Sequence, residues 1–164
     1  MLSLRPITEA DTPFLRDLYA TTRADELAVV PWSPEEKRGF LSMQFEAQHK
    51  FYREQFSDAS FDLVLQEGEP IGRLYLDRRE DEHRLVDIAL LPEHRGKGLG
   101  HQLMRGVLDE AVTVGKRVRI HVEQHNPAMH LYTRLGFEKV EDQGVYDLME
   151  WQPQVLAAAA GDAT

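Results

Sequence analysis

Three stretches of this 164-residue chain predict an α/β fold. Residues 85–104 run from an apolar strand through a glycine-dense turn into an amphipathic helix. Val118, Ile120 and Val122 then alternate with Arg119 and His121, so a second strand follows, parallel to the first through a right-handed crossover. Hairpin patterns at 61–76 and 140–151 flank this core and add antiparallel strands. The expected architecture is a mixed, mostly antiparallel sheet with a central parallel pair, flanked by about four helices.

Leu2, Leu4 and Pro6 alternate with polar residues and open the chain as a strand. Thr8 and Asp11 form an N-cap pairing ahead of the stripe Phe14, Leu15, Leu18, Tyr19. Ser33-Pro34-Glu35-Glu36 is a stronger helix start, with Ser as cap, Pro in the first turn and Glu reaching back. That helix should run to about Phe56, with Phe40, Leu41, Phe45, Phe51, Tyr52 and Phe56 on a wide apolar face. The segment Glu67-Gly68-Glu69-Pro70 turns the first hairpin, and Arg79-Glu80-Asp81-Glu82 leads into the central strand. Leu103, Met104, Val107, Leu108 and Ala111 recur at helical spacing, and Gly115 ends the helix. A short helix over Ala128–Leu135 precedes the last hairpin, which turns at Gln143-Gly144. Residues 1–152 are expected to form one domain, and 153–164 a flexible tail.

Composition narrows the function. No cysteine is present, which removes disulfides, thiolate metal sites and a cysteine nucleophile. A formal charge of −9 argues against a broad nucleic-acid surface and suits cationic small substrates, although an acidic surface more commonly serves solubility alone. No apolar run approaches the roughly 20 residues that span a membrane. The start lacks the basic head and apolar middle of a signal peptide, so a cytoplasmic location is expected.

The turn His94-Arg95-Gly96-Lys97-Gly98-Leu99-Gly100-His101 carries the first chemical signal. Strand, loop and helix in that order aim backbone N–H groups at an anion. Glycine permits close approach, while Arg95 and Lys97 add cationic donors. Two familiar phosphate loops do not fit. Lys97 is followed by Gly98, so no hydroxyl stands ready for magnesium as in a P-loop, and the third glycine of a dinucleotide fingerprint would fall at His101.

The spacing Arg95-x-x-Gly98-x-Gly100 resembles the pyrophosphate-binding motif A of the GCN5-related N-acetyltransferase (GNAT) superfamily. Asn126-Pro127-Ala128-Met129-His130-Leu131-Tyr132-Thr133-Arg134-Leu135-Gly136-Phe137 resembles its motif B, and the two occur in the right order. The resemblance implies acetyl-CoA as co-substrate and an amine as acceptor, with direct transfer in a ternary complex. It implies that the parallel strands splay, that the pantetheine arm enters between them, and that amides near Leu90 meet the thioester carbonyl. Leu90, Arg95, Gly96, Lys97, Gly98, Leu99, Gly100, His101 and Asn126 are the implied cofactor contacts. Asn126 precedes Tyr132 by six positions, where the more familiar motif uses seven.

Tyr132 stands where the superfamily keeps its general acid, the alternative being a tyrosine that only packs the core. Asp87, which interrupts an apolar strand, and Glu123, at the end of the next, are candidate bases; Asp87 is alternatively a carboxylate satisfied by neighbouring donors. His83 and His121 are weaker candidates. The superfamily places its acceptor-binding segment in the link at 23–32, and Trp32, Phe45 and Tyr52 could line that pocket or simply pack the core. His121, Glu123 and His125 share metal-like spacing, but nothing else supports a metal, and none is expected. Three readings stay open: a small-molecule N-acetyltransferase, a peptide or lysine acetyltransferase, and a non-catalytic acyl-CoA sensor. The acceptor, the size of the acyl group and the oligomeric state are not legible, though dimers are common in the superfamily.

Overall fold

A computed structural model describes residues 1–153. The tail expected at 153–164 therefore lies, apart from Pro153, outside the described residues. The elements are β1 (Leu2–Pro6), α1 (Thr12–Thr22), α2 (Ala24–Ala28), α3 (Pro34–Gln55), β2 (Ser60–Gln66), β3 (Glu69–Arg78), β4 (Glu82–Leu90), α4 (Leu99–Val114), β5 (Arg117–Glu123), α5 (Met129–Arg134), β6 (Glu138–Gln143) and β7 (Tyr146–Trp151). The seven strands form one sheet in the order β1-β2-β3-β4-β5-β7-β6. β4 and β5 are parallel, whereas β1–β2, β5–β7 and β6–β7 pair antiparallel.

The chain divides into two compact units, the first made of Met1–Tyr75 and Asp87–Arg95. In it, β1 is tied to the start of α1 by a fork: Arg5 donates to both oxygens of Asp11 at 2.9 Å, and the Thr8 amide donates to Asp11 Oδ2 at 2.7 Å. Those donors, led by the Arg5 hydrogen bond, hold the Asp11 carboxyl at about 2 against an ordinary 3.8. α3 begins as its capping signal requires, the Glu36 amide donating to Ser33 Oγ and the Ser33 amide to Glu36 Oε1. Leu15, Tyr19, Phe45 and Leu63 form the buried cluster of this unit, with Ile7, Phe14, Leu41 and Leu65 against it. The link at 23–32, for which no element was expected, carries the helical turn α2. Not every aromatic of the α3 face is inside: Phe51 is exposed, because the helix is broader in apolar residues than the surface it covers.

The second unit takes in Leu76–Val86 and, among the described residues, those from Gly96 to Pro153. α4 buries Leu103, Met104, Val107, Leu108 and Ala111 and ends at Gly115, whose φ of +70° suits glycine. β5 buries Val118, Ile120 and Val122. Arg78 grips Glu110 of α4 with Nε at 2.7 Å and Nη2 at 3.0 Å. His83 is buried with Nε2 2.6 Å from Glu110 Oε2, so this candidate base is a packing contact of α4.

Candidate active site

The β4–β5 register runs from Glu82↔Arg117 to Leu85↔Ile120 and, among the described residues, goes no further, although β4 continues to Leu90 and β5 to Glu123. At the far end of β4 the Leu91 amide donates to Ile71 O at 2.8 Å, so the main-chain groups of Leu90 face the edge away from β3. The Leu90 carbonyl there accepts from Arg95 Nε at 2.9 Å, and Arg95 Nη2 donates to Thr21 Oγ1 at 3.2 Å. Arg95 thus braces the end of β4, a use the motif alone did not reveal. Gly72 on β3 permits this geometry, since a Cβ at that position would lie 2.2 Å from Ala89 O and 2.8 Å from Leu90 Cδ2.

Past β4, Pro92–His94 makes a 3₁₀ turn, and Gly98 caps α4 with φ +80°. Leu99, Gly100 and His101 occupy the first helical turn, where amides have no intrahelical acceptor. Among the described residues none supplies another acceptor to these amides, and no acidic residue lies in that turn. Lys97 is exposed beside them. The turn therefore fits a phosphate group: it offers unmatched donors, the positive end of a 16-residue helix and no competing carboxylate. Gly100 also lets α4 approach α5, since a Cβ there would be 3.5 Å from Leu131 Cδ2.

α5 is only six residues long, and its two ends are both tied down. Asn126 accepts from the Ala128 amide through Oδ1 at 2.8 Å, and its carbonyl accepts from the Met129 amide at 2.9 Å. At the other end the Phe137 amide donates to Tyr132 O at 3.0 Å and the Gly136 amide to Thr133 O at 3.1 Å, with Gly136 at φ +100°. This is a Schellman ending, and the apolar contact that accompanies such endings is the Tyr132–Phe137 ring pair, 5.7 Å between centroids. The Leu-Tyr-x-x-Leu-Gly-Phe signature is thus a device that fixes the buried Tyr132. Beside this turn a groove of about 640 Å³ is lined by Asn126, Met129, His130 and Lys139, among others.

Two residues singled out separately in the sequence meet in the first unit: the Tyr52 hydroxyl donates to Asp87 Oδ2 at 3.1 Å. Arg73, which sequence reasoning missed, donates to the same oxygen at 2.6 Å and to Gln48 Oε1 at 2.9 Å. Burial works against the Arg73 charge, but Asp87 and two neighbouring tyrosines outweigh it and hold the guanidinium above its ordinary range. The signal was available: Arg73 interrupts the apolar run 71–76 of β3 as Asp87 interrupts β4. Asp87 is therefore a carboxylate satisfied by its neighbours on Oδ2; among the described residues none bonds Oδ1.

Other candidates part company. Phe45 is fully buried in the core cluster and faces no open surface; its ring volume is needed to fill the space between α1 and β2. Trp32 is 40% exposed and packs edge-on against Phe40, 5.1 Å between centroids. Glu123 ends β5 half-buried, opposite Tyr146 of β7. His121 is exposed on one side, with Arg84 Nη1 3.1 Å from its Nδ1, and partial desolvation of the ring together with the Arg84 charge lowers its proton affinity. Among the described residues there is no cluster of three or more metal-ligating side chains, and no helix long and apolar enough to cross a membrane.

A mixed seven-stranded sheet whose parallel ladder stops early, with a glycine turn at the mouth of the next helix, matches the α/β acetyltransferase fold. The chain belongs to the acetyltransferase (GNAT) family, whose profile matches residues 21–137. The crystal structure of PaiA N-acetyltransferase from Thermoplasma acidophilum in complex with coenzyme A superposes with a TM-score of 0.70 at 19% identity, over 93% of this chain and 99% of that one. Among curated proteins, L-amino acid N-acyltransferase MnaT of Escherichia coli (strain K12) is 46% identical over 48 residues, 28% of each chain. Spermidine N(1)-acetyltransferase of Vibrio cholerae serotype O1 is 38% identical over 60 residues, 34% of this chain and 35% of that one. The chain spans only 28% to 35% of the length of these curated relatives.

Proposed function

We propose that this protein transfers an acetyl group from acetyl-CoA to the primary amine of a small molecule, by direct attack. The observation that carries the reading is the first turn of α4: three amides without an acceptor among the described residues, behind a left-handed Gly98 and free of carboxylates. Family membership supports acetyl transfer, and the partial matches to proteins named for amino acids and spermidine support a small amine.

Bound acetyl-CoA supplies an activated acetyl thioester. The amides of Leu99, Gly100 and His101, with Gly96 and Lys97 beside them, hold its diphosphate, and Asn126 contacts its arm. The amide of Leu90, facing away from β3, donates to the thioester oxygen as negative charge develops there. An amine of ordinary pKa near 10.4 is charged at neutral pH, and freeing its lone pair costs roughly 4–5 kcal/mol. A carboxylate lowers that cost by taking the proton; Asp87 is the first candidate, and Glu123, through a water, the second. Tyr132 gives its phenolic proton to the departing thiolate.

Thiol release from acetyl-CoA, followed across a panel of amino acids, polyamines and short peptides, tests the reading. At least one small amine should be turned over. Tight acetyl-CoA binding without turnover of any acceptor would support a sensor instead, and peptide turnover alone would move the acceptor class. Tyr132→Phe keeps the ring against Phe137 and should lower kcat about 100-fold with acetyl-CoA affinity unchanged. An equal loss of affinity would contradict the acid role.

A further inference from the structure

The Arg73–Asp87 pair is an expensive way to hold two strands together. A buried ion pair is weak evidence for stability, because two apolar side chains of similar volume hold a sheet as well or better. The pair is also lopsided. The Arg73 side chain is 3% exposed and that of Asp87 17%, so the cation is sealed and the carboxylate keeps an open surface. The bonds are lopsided in the same sense. One nitrogen, Arg73 Nη2, ties Gln48 of α3 to Asp87 of β4, and Tyr52, one turn along α3 from Gln48, donates to the Asp87 oxygen that Arg73 already holds. The guanidinium carbon also stands 5.0 Å from the centre of the Tyr75 ring, which limits its movement. Three elements therefore converge to fix Oδ2 of one carboxylate, while among the described residues Oδ1 receives no bond.

We propose that Arg73 is a positioning residue for the acceptor amine: with Tyr52 it fixes Oδ2 of Asp87 and leaves Oδ1 as the oxygen that meets the amine. The inference rests on the reading of Asp87 as the carboxylate that faces the acceptor. The sealed cation has a second consequence. It balances the Asp87 charge, so this subsite suits a single amine nitrogen that gives up its proton, and a non-reacting cationic group of the acceptor has no unbalanced charge to bind there. Orientation here governs the chemical step more than the grip on substrate, since a small misplacement of a reacting group costs up to about 100-fold in rate.

The test compares Arg73→Lys, Arg73→Met, Asp87→Asn and the double variant Arg73→Met with Asp87→Leu, using the best small amine from the panel. Fold is followed by urea melts, cofactor binding by acetyl-CoA Kd, and turnover by kcat and acceptor KM for the folded fraction. Arg73→Lys keeps a charge but loses the fork, and should lower kcat about 10- to 100-fold with acceptor KM and acetyl-CoA Kd within about twofold. Arg73→Met strands a carboxylate and is expected to melt early, whereas the double variant recovers the urea midpoint and stays as inactive as Asp87→Asn. An Arg73→Lys variant with wild-type kcat, or a kcat loss accounted for by its unfolded fraction, overturns the positioning role and leaves acyl transfer standing. An active Asp87→Asn overturns the reading of Asp87 and the inference with it, as would a wild-type protein that turns over no amine.

Discussion

Two regions carry the proposed chemistry, and they are built in opposite ways. The stretch 96–137 is local: a glycine turn opens α4, and a six-residue helix between an Asn turn and a Schellman ending fixes Tyr132. The Asp87 cluster is non-local, its members Gln48, Tyr52, Arg73 and Asp87 brought from α3, β3 and β4 by tertiary folding. Backbone conformation holds the first and charge pairing the second. The local part should tolerate side-chain changes and fail when a glycine is altered, whereas the cluster should fail when a charge is.

The sharpest break is predicted at Gly72, where β3 and β4 of the first unit meet backbone against backbone. Gly72→Ala places a methyl 2.2 Å from Ala89 O, and the strand must shift; a loss of about 3 kcal/mol is expected by urea denaturation. A variant as stable as wild type would mean that β3 and β4 have more room than this geometry allows. Gly136→Ala comes next. A residue with a Cβ is strained at φ +100°, so about 1–2 kcal/mol should be lost, with a fall in kcat as Tyr132 moves. If the glycine matters only for folding, kcat per folded molecule will not change.

Lys97→Ala should weaken acetyl-CoA binding roughly threefold, an effect that fades at high salt because the side chain is exposed and screened. The amides of the first α4 turn, which a change of side chain to anything but proline leaves in place, should keep the rest of the affinity. The smallest effect concerns acid. Asp11 is held at about 2 in the folded chain against 3.8 ordinarily, so its contribution is whole above pH 4 and disappears as pH falls towards 2. The stability gap between wild type and Asp11→Asn should therefore narrow over that range. A constant gap would show that the Arg5 fork does not depend on the carboxylate charge.

Legibility follows the same division. The capping box at Ser33 and the Gly115 ending were readable because each joins residues a few positions apart, where hydrogen-bond geometry leaves little choice. The crossover from β4 to β5 was readable because handedness limits the ways such a connection can run. The Arg73–Asp87 pair spans strands whose register no local rule states, although a charge breaking each of two apolar runs hinted at it. α2 was missed because five residues with no N-cap side-chain bond leave little trace. Phe45 and Trp32, equally aromatic, went one to the core and one to the surface, a choice made by packing.

By itself the amino-acid order determined the parallel strand pair, the glycine turn that opens α4 and the Tyr132 helix, since these depend on backbone torsions and on crossover handedness that residues nearby impose. Only the tertiary structure decided that Arg95 braces Leu90, that Tyr52 and Arg73 share one oxygen of Asp87, and that Gly72 must lack a side chain. Each of those depends on the distance between elements remote in sequence, and that distance is set by how the whole sheet packs.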